Sequence, residues 1–274
     1  MTEEWIPDDI PLDKPSPARI YDYFLGGYHN FAQDRAVAEQ LLQILPELFL
    51  TGQVNRSFLR RAVTLLLDNG IDQFLDIGSG IPTMGNVHEV AQAVNPEARV
   101  VYVDIDPVAV AHCKSMLASN SRAVAIRGDV RDPEALLEHT EVRRMLDFER
   151  PVGLLMVALL HYVVDDEVAY SSVDRLREAL APGSYMVVAH STIVESDKLD
   201  GRWQAGSEIF RRASETVERT LDQVQRFFGD WVLVEPGVVQ TPLWRPEGPD
   251  DVLLDDPVRG HTLAGVAWKP GQSG

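Results

Sequence analysis

QFLDIGSGIPTMGN, residues 73 to 86, decides the reading of this chain. It opens as a short apolar strand and breaks at Gly78-Ser79-Gly80, where two glycines can take positive φ and let a ligand approach the backbone. The same pattern recurs downstream. The apolar runs 99–105 (RVVYVDI), 123–129 (AVAIRGD), 152–159 (VGLLMVAL) and 184–191 (SYMVVAHS) alternate with helical stretches at 86–94, 107–119, 133–146 and 166–180. Several runs are apolar on both faces, as strands covered by helices on each side must be. A series of strands and crossover helices folds as a doubly wound α/β sheet. In such sheets ligands bind beyond the carboxyl ends of the strands.

Residues 17 to 69, ahead of the first strand, read as helical. Pro17 suits a first helical position, and Gly26-Gly27 stops that helix. Asp34 reads as the N-cap of RAVAEQLLQIL, which ends before Pro46. VNRSFLRRAVTLLLDNG forms a third helix, ending at Gly70. After the fifth strand, residues 203–228 read as one long helix, and WVLVEPGVV and HTLAGVAWKP read as two late strands, arranged as a hairpin.

Composition excludes several classes. The single cysteine, Cys113, allows no disulfide within the chain and no cysteine-based zinc site, and it fits a reducing cytoplasm. The histidines lack the close spacing of a metal site, so no metal is expected. The formal net charge of −17 and the lack of a basic cluster argue against a nucleic-acid partner. No apolar run reaches the length of a membrane span, and the acidic, Pro-rich start does not read as a secretory signal. Residues 1–16 read as a loose arm.

Three successive strand ends carry carboxylates. Asp76 precedes Gly78, Asp104 closes the second strand, and Asp129 follows the third. Singly, each is an ordinary turn or cap residue. Together, at this spacing, they suit a nucleoside: Asp104 can accept both ribose hydroxyls, and the third tip can reach an adenine edge. A dinucleotide fingerprint needs a third glycine at position 83, which is Thr83 here. Asp76 would repel a pyrophosphate, and no Lys or Arg follows in the loop. A cationic ligand group fits better, and S-adenosylmethionine carries an amino group, a sulfonium and no phosphate.

The segments PSPARIYDYFLGGYHNFAQDR, FLDIGSGIPTMGNVHEVAQ, VVYVDIDPVAVAH, GDVRDP, PVGLLMVALLHYV, LAPGSYMVVAHST and VEPGVVQTPLWRPEG span most of the chain. Through them it resembles class I S-adenosylmethionine-dependent methyltransferases. More narrowly, it resembles a bacterial family of S-adenosyl methyltransferases once grouped as a domain of unknown function. The resemblance implies a Rossmann-like sheet of seven strands with the last antiparallel. It implies an arm (1–16), a helical cap (17–70) and a cofactor-binding domain (71–270). It implies that Gly78, Ser79 and Gly80 lie against the methionine part of S-adenosylmethionine and that Asp76 holds its amino group. Asp104 takes the ribose with Ile105 beside the adenine, Asp129 and Val130 meet the adenine edge, and Ala158 stands near the methionine part. One departure is Pro82, which replaces the third loop glycine and has no N–H to donate.

The cluster DYFLGGYHNFAQDR (22–35) then reads as part of a lid. In that reading Gly26 and Gly27 bring backbone to the ligand, Arg19 or Asn30 meets the methionine carboxylate, and Tyr21 faces the site. The plainer alternative is a Gly-Gly helix stop with Tyr21 packed on the sheet. Methyl transfer chiefly needs alignment of the nucleophile and exclusion of water. Candidate bases are His161 and His190, with Tyr162 and Ser191 beside them. His88, His112, His139 and His261 are given no role. Trp203, Phe210 and Trp244 are candidates to line an apolar acceptor pocket formed with the loop STIVESDKLDG, for a small-molecule acceptor and a monomeric or homodimeric protein. The rivals are a non-catalytic module that binds S-adenosylmethionine or S-adenosylhomocysteine, and a nicotinamide-dependent oxidoreductase.

Overall fold

The computed structural model describes residues 14–83, 85–192, 201–248 and 251–271. The five apolar runs form β1 (Gln73–Ile77), β2 (Arg99–Asp104), β3 (Ala123–Arg127), β4 (Gly153–Val157) and β5 (Tyr185–Ser191). All are parallel, in the order β3-β2-β1-β4-β5. The order reverses beside β1, so the crevice for a ligand opens above β1 and β4. The late strands are β6 (Val232–Leu233), β7 (Val239–Gln240) and β8 (Thr262–Trp268). β8 runs antiparallel along the whole of β5, and the two-residue β6 and β7 each pair with β8. The late segments are therefore not a simple two-strand hairpin. One long strand closes the sheet, and two short strands share its outer edge.

The period of two along the strands divides the core. Leu75 and Ile77 of β1, with Val101 and Val103 of β2, face one layer. That layer is built from α6 (Pro133–Glu138), α7 (Thr140–Met145), α8 (Asp166–Ala179) and α10 (Leu221–Arg226). Phe74, Val100 and Tyr102 face α3 (Leu48–Asp68), α4 (Val87–Val94) and α5 (Pro107–Met116). Each fully buried Phe or Leu contributes roughly 1.5–3 kcal/mol of apolar burial. Among the described residues no helix is long and apolar enough to cross a membrane.

Several element boundaries differ from those expected. The stretch 133–146 is two helices, because His139 leaves the helical conformation, and its Nδ1 accepts from Glu141 N to cap α7. The long helix expected over 203–228 is broken. α9 (Arg202–Phe210) stops, the chain runs extended through Thr216 and Val217, and α10 restarts behind Thr220. The extended piece gains partners a helix would not: Val217 N donates to His161 O (2.9 Å) and Arg219 N to Ser191 O (3.2 Å). β-Branched residues at 216, 217 and 220 favour that choice.

α1 (Pro17–Phe24), α2 (Ala32–Ile44) and α3 precede the sheet. Asp34 sits inside the first turn of α2 rather than capping it from outside, and its Oδ2 accepts from Phe31 N (2.8 Å). α3 starts at Leu48, earlier than its apolar pattern suggested. Residues 1–13 of the expected arm lie outside the described residues, but 14–16 are tied down. Lys14 O accepts from Arg19, and Ser16 N donates to Asp34 Oδ1 (2.8 Å). Ile20, Val37 and Leu41 of the first two helices pack with Ile209 and Phe210 of α9.

Candidate functional site

A cavity of about 440 Å³ opens over the carboxyl ends of β1, β2, β3 and β4, within the size range of small-molecule sites. Its inner half is made by the strand tips: Asp76, Gly78, Ser79, Gly80, Asp104, Ile105, Asp129, Val130 and Ala158 all line it. Gly78 and Gly80 both have positive φ, and a Cβ at Gly78 would stand 2.6 Å from Leu159 Cδ1. Ala158 also has positive φ (58°), an uncommon conformation for a residue with a side chain and one often found where a site fixes the backbone.

The carboxylates have distinct surroundings. Asp104 Oδ2 accepts from Gly80 N (2.7 Å) and Oδ1 from Asp106 N (2.8 Å). These bonds shape the loop and leave lone pairs for a ligand. Asp76 is buried, and no described residue donates a hydrogen bond to its side chain. Burial pushes the Asp76 carboxyl up to about 7 and the Asp104 carboxyl to about 6. The nearby Asp104 charge adds to the rise at Asp76, and the Arg56 guanidinium opposes it. Asp129 is held below the usual range, first by the hydrogen bonds from Arg131.

The outer half is walled by α1, α2, α3, α9 and the extended piece after α9. Tyr21, Phe24, Leu45, Trp203 and Phe210 present apolar surface to it. Tyr162 and Ser191 lie at its junction with the strand tips. The His161 ring also lines the cavity, with Nδ1 buried and unpartnered. Burial, then His190 and Arg219, hold His161 well below the usual histidine range, so it is a neutral imidazole.

The remaining expectations meet different fates. His190 is fully buried and does not line the cavity. Its Nε2 pairs with Arg219 Nη1 at 2.8 Å and its Nδ1 with Ser191 O, so both ring nitrogens are engaged. Arg219, itself fully buried, also donates to Leu160 O, Val163 O and Asp166 Oδ1. It thereby fixes the turn that presents His161 and Tyr162. Trp244 is a core residue, edge-on to Phe58 with centroids 5.2 Å apart. In the loop written STIVESDKLDG, residues 193–200 lie outside the described residues.

Arg19 does not line the cavity either. It is buried in ion pairs with Asp34 (2.9 Å) and Asp106 (3.7 Å). Because Asp106 caps α5 directly after β2, these pairs fasten the N-terminal helices to the strand tip. Asn30 and Gly27 belong to a self-contained turn around Asp22. The Asp22 carboxylate accepts from His29 N (2.9 Å) and Asn30 Nδ2 (2.8 Å). A Cβ at Gly27 would lie 2.0 Å from Asp22 Oδ1, so glycine is needed to admit that carboxylate. Gly26, Gly27 and Asn30 line a separate depression with Tyr28 and Phe49.

Several cavity residues escaped the sequence reading, among them Arg56, Glu218 and His261. Arg56 of α3 lines the cavity, and among the described residues no carboxylate lies within ion-pairing distance of it. Its signal was faint: a polar pair, Asn55-Arg56, set between Val54 and Phe58 of an otherwise apolar helix face. Glu218 lines the cavity from the extended piece and accepts from Trp203 Nε1. His261 stacks on Trp203, with ring centroids 4.0 Å apart.

A family model described as S-adenosyl methyltransferase matches residues 3–270. A solved structure of a candidate methyltransferase from Thermobifida fusca YX is 43% identical, with 97% of this chain and 99% of that one covered and a TM-score of 0.89. A DUF574 family protein from Streptomyces avermitilis MA-4680 is 36% identical over 94% of this chain and 99% of that one, with a TM-score of 0.86. Human N-acetylserotonin methyltransferase, crystallised with S-adenosylmethionine, is 16% identical over 90% of this chain and 62% of that one, with a TM-score of 0.50, a likeness of fold alone. No curated protein matches the chain.

Proposed function

This chain belongs to the S-adenosyl methyltransferase family, whose cofactor is S-adenosylmethionine, and we propose that it transfers the methyl group to a small-molecule acceptor by in-line displacement. One observation carries the assignment of roles. Among the described residues, a carboxylate without a hydrogen-bond donor, Asp76, and a guanidinium with no carboxylate in ion-pairing range, Arg56, share one cavity with Gly78, Gly80 and Asp104.

That donor set fits the cofactor. Asp76 offers an acceptor for an α-amino group. Arg56 offers the donors for an α-carboxylate that Pro82 cannot supply. Asp104 has lone pairs left for ribose hydroxyls, and Ile105, half-exposed on the cavity wall, offers an apolar face to an adenine. Asp129 and Val130 stand where the adenine edge would lie. Bound there, S-adenosylmethionine supplies an electrophilic methyl group on a sulfonium. Tyr21, Tyr162 and the walls of α1, α3 and α9 orient the acceptor and exclude water. His161 is a neutral hydrogen-bonding group in this scheme. His190 is a positioning residue. An open chamber beyond Ala158 favours turnover over a sensor, whose acceptor space would be filled by side chains.

The test is parallel calorimetric titration of the purified protein with S-adenosylmethionine, S-adenosylhomocysteine and NAD. Micromolar binding of the first two and none of the third is expected. Binding of NAD without S-adenosylhomocysteine would reverse the reading.

A further inference from the structure

The outer half of the cavity has a marked chemical character. Its walls are apolar and aromatic, with Phe24, Leu41, Leu45, Trp203 and Phe210 prominent. The described lining residues include two permanent cations, and neither lies in ion-pairing range of Glu218. Arg131 is paired with Asp129 at the tip of β3, and Arg56 stands by Asp76. Among the described residues the outer half instead holds one carboxylate, Glu218, half-buried beside Trp203. Trp203 donates to Glu218 Oε1, and among the described residues no Lys or Arg lies in ion-pairing range of it. A half-buried carboxylate without a counter-cation is costly unless something pairs with it.

A second observation points the same way. Asn55 is buried on the cavity wall, 2% exposed, and its Oδ1 accepts no hydrogen bond. Thr51 Oγ1, one helical turn earlier, is also buried and unpartnered. Native proteins leave few such groups; on a cavity wall they face water or a ligand, and a ligand that meets Asn55 Oδ1 must donate to it. Glu218 and Asn55 Oδ1 are both acceptors. The chain's net charge of −17 further raises the local concentration of cations over anions.

We infer that the methyl acceptor is a hydrophobic amine, its apolar or aromatic body held against Tyr21, Phe24, Trp203 and Phe210 and its nitrogen paired with Glu218. The inference rests on the methyltransferase reading and names the substrate class for that site. The chemistry balances. The ammonium passes one proton to the Glu218 carboxylate. The nitrogen lone pair then forms the N–C bond as the C–S bond breaks onto sulfur, giving an N-methylammonium, S-adenosylhomocysteine and a protonated Glu218 that returns its proton to solvent. Burial raises the Glu218 carboxyl above its ordinary value, which helps it take that proton. Aromatic faces at Trp203 and Tyr162 suit a cationic head as well as a flat body.

The experiment uses three probes that share one body: 2-(1-naphthyl)ethylamine, 2-(1-naphthyl)ethanol and 1-naphthylacetate. Each is titrated calorimetrically into the full chain saturated with S-adenosylhomocysteine. The amine is expected to bind at least about tenfold tighter than the alcohol, and the carboxylate weakest of the three. Glu218→Gln keeps an acceptor for Trp203 Nε1 and is expected to erase the preference of amine over alcohol. Its S-adenosylhomocysteine titration reports whether that variant is folded. With S-adenosylmethionine in place of the product, mass spectrometry should find the N-methyl amine. Equal affinities, a preference for the carboxylate, no binding of the amine, or a preference that survives in Glu218→Gln would each overturn the inference. Failure of S-adenosylhomocysteine itself to bind would instead overturn the methyltransferase reading beneath it.

Discussion

Cofactor affinity should fall steeply with acid, and the structure sets the pH at which it does so. The Asp76 carboxyl stands at about 7 and the Asp104 carboxyl at about 6, each raised chiefly by burial at the strand tips. Both must be carboxylates to accept the amino group and the ribose hydroxyls. Below pH 7 the ligand first has to expel a proton from Asp76. At pH 5 that costs a factor of about 100, and the same step at Asp104 costs about 10. Together they predict a rise in the dissociation constant of about 1,000-fold between pH 8 and pH 5, near 4 kcal/mol. The slope should approach one decade per pH unit between 7 and 6, and two decades below 6. Calorimetric titration with S-adenosylhomocysteine across that range measures it. Repeating the pH 6 point in two buffers of different ionisation enthalpy counts the protons released. Asp76→Asn should bind more weakly at pH 8 and lose the upper step. A dissociation constant constant within a factor of three from pH 8 to pH 5, in protein that remains folded, would refute the placement of the cofactor on these carboxylates.

Three further outcomes follow from the same geometry. The ligand-free protein should show the opposite trend in stability from this pair: a carboxyl raised in the folded state stabilises fully below its unfolded value near 3.8, and that contribution is lost as pH rises through about 6 to 7, so the gain in Tm on adding S-adenosylhomocysteine should grow from pH 5 to pH 8. Arg56→Met should raise the dissociation constant of S-adenosylhomocysteine about tenfold or more while shifting Tm little, because Arg56 has no ion-pair partner among the described residues; an unchanged constant would move the carboxylate elsewhere. Gly27→Ala should lower Tm, since its Cβ would meet the Asp22 carboxylate, yet leave cofactor affinity within about twofold; a selective loss of binding would restore the Gly-Gly turn to the site.

The sheet was legible because its signal is redundant. Five apolar runs, several of them apolar on both faces, at crossover spacing admit few arrangements, and the carboxyl end of a parallel strand is fixed once the strand is found. Hence Asp76, Asp104 and Asp129, read as strand-end residues, do converge on one cavity. The turn at 22–35 was not legible, since Asp, Asn and Gly crowd together both where a ligand binds and where a turn bonds to itself. Only the folded structure shows that Asp22 Oδ2 already has its donors in His29 N and Asn30 Nδ2. Arg19 reads from the sequence as an available cation, whereas Asp34 and Asp106 hold it. Arg56 was hidden for the converse reason. On a 21-residue amphipathic helix one more arginine reads as a solvated face, and its place over β1 depends on how α3 crosses the sheet.

The two halves of the cavity follow different rules for the same physical reason. Strand tips are held by a ladder and by cores on both faces, so the groups that grip the cofactor arise locally, within a few residues of each tip. The acceptor half has no such frame. Its walls come from α1 to α3, from α9 and from the extended piece carrying Glu218, regions more than a hundred and thirty residues apart that meet only after the sheet has formed. Arg219 is the joint between them. From its place beside Glu218 it reaches back to Leu160 O, Val163 O and His190, which lie at the ends of β4 and β5. Replacing it with Met would strip donors from two buried carbonyls and leave Asp166 unpaired, a loss of about 3 kcal/mol or more. For a domain of this size that lowers Tm by roughly 6–12 °C. If the joint acts as described, acceptor binding should suffer more than S-adenosylhomocysteine binding, because Arg219 holds His161, Tyr162 and Glu218 and none of the carboxylates at the tips of β1 to β3. Equal losses for the two ligands at a temperature where the variant is folded would mean that the halves are not separable.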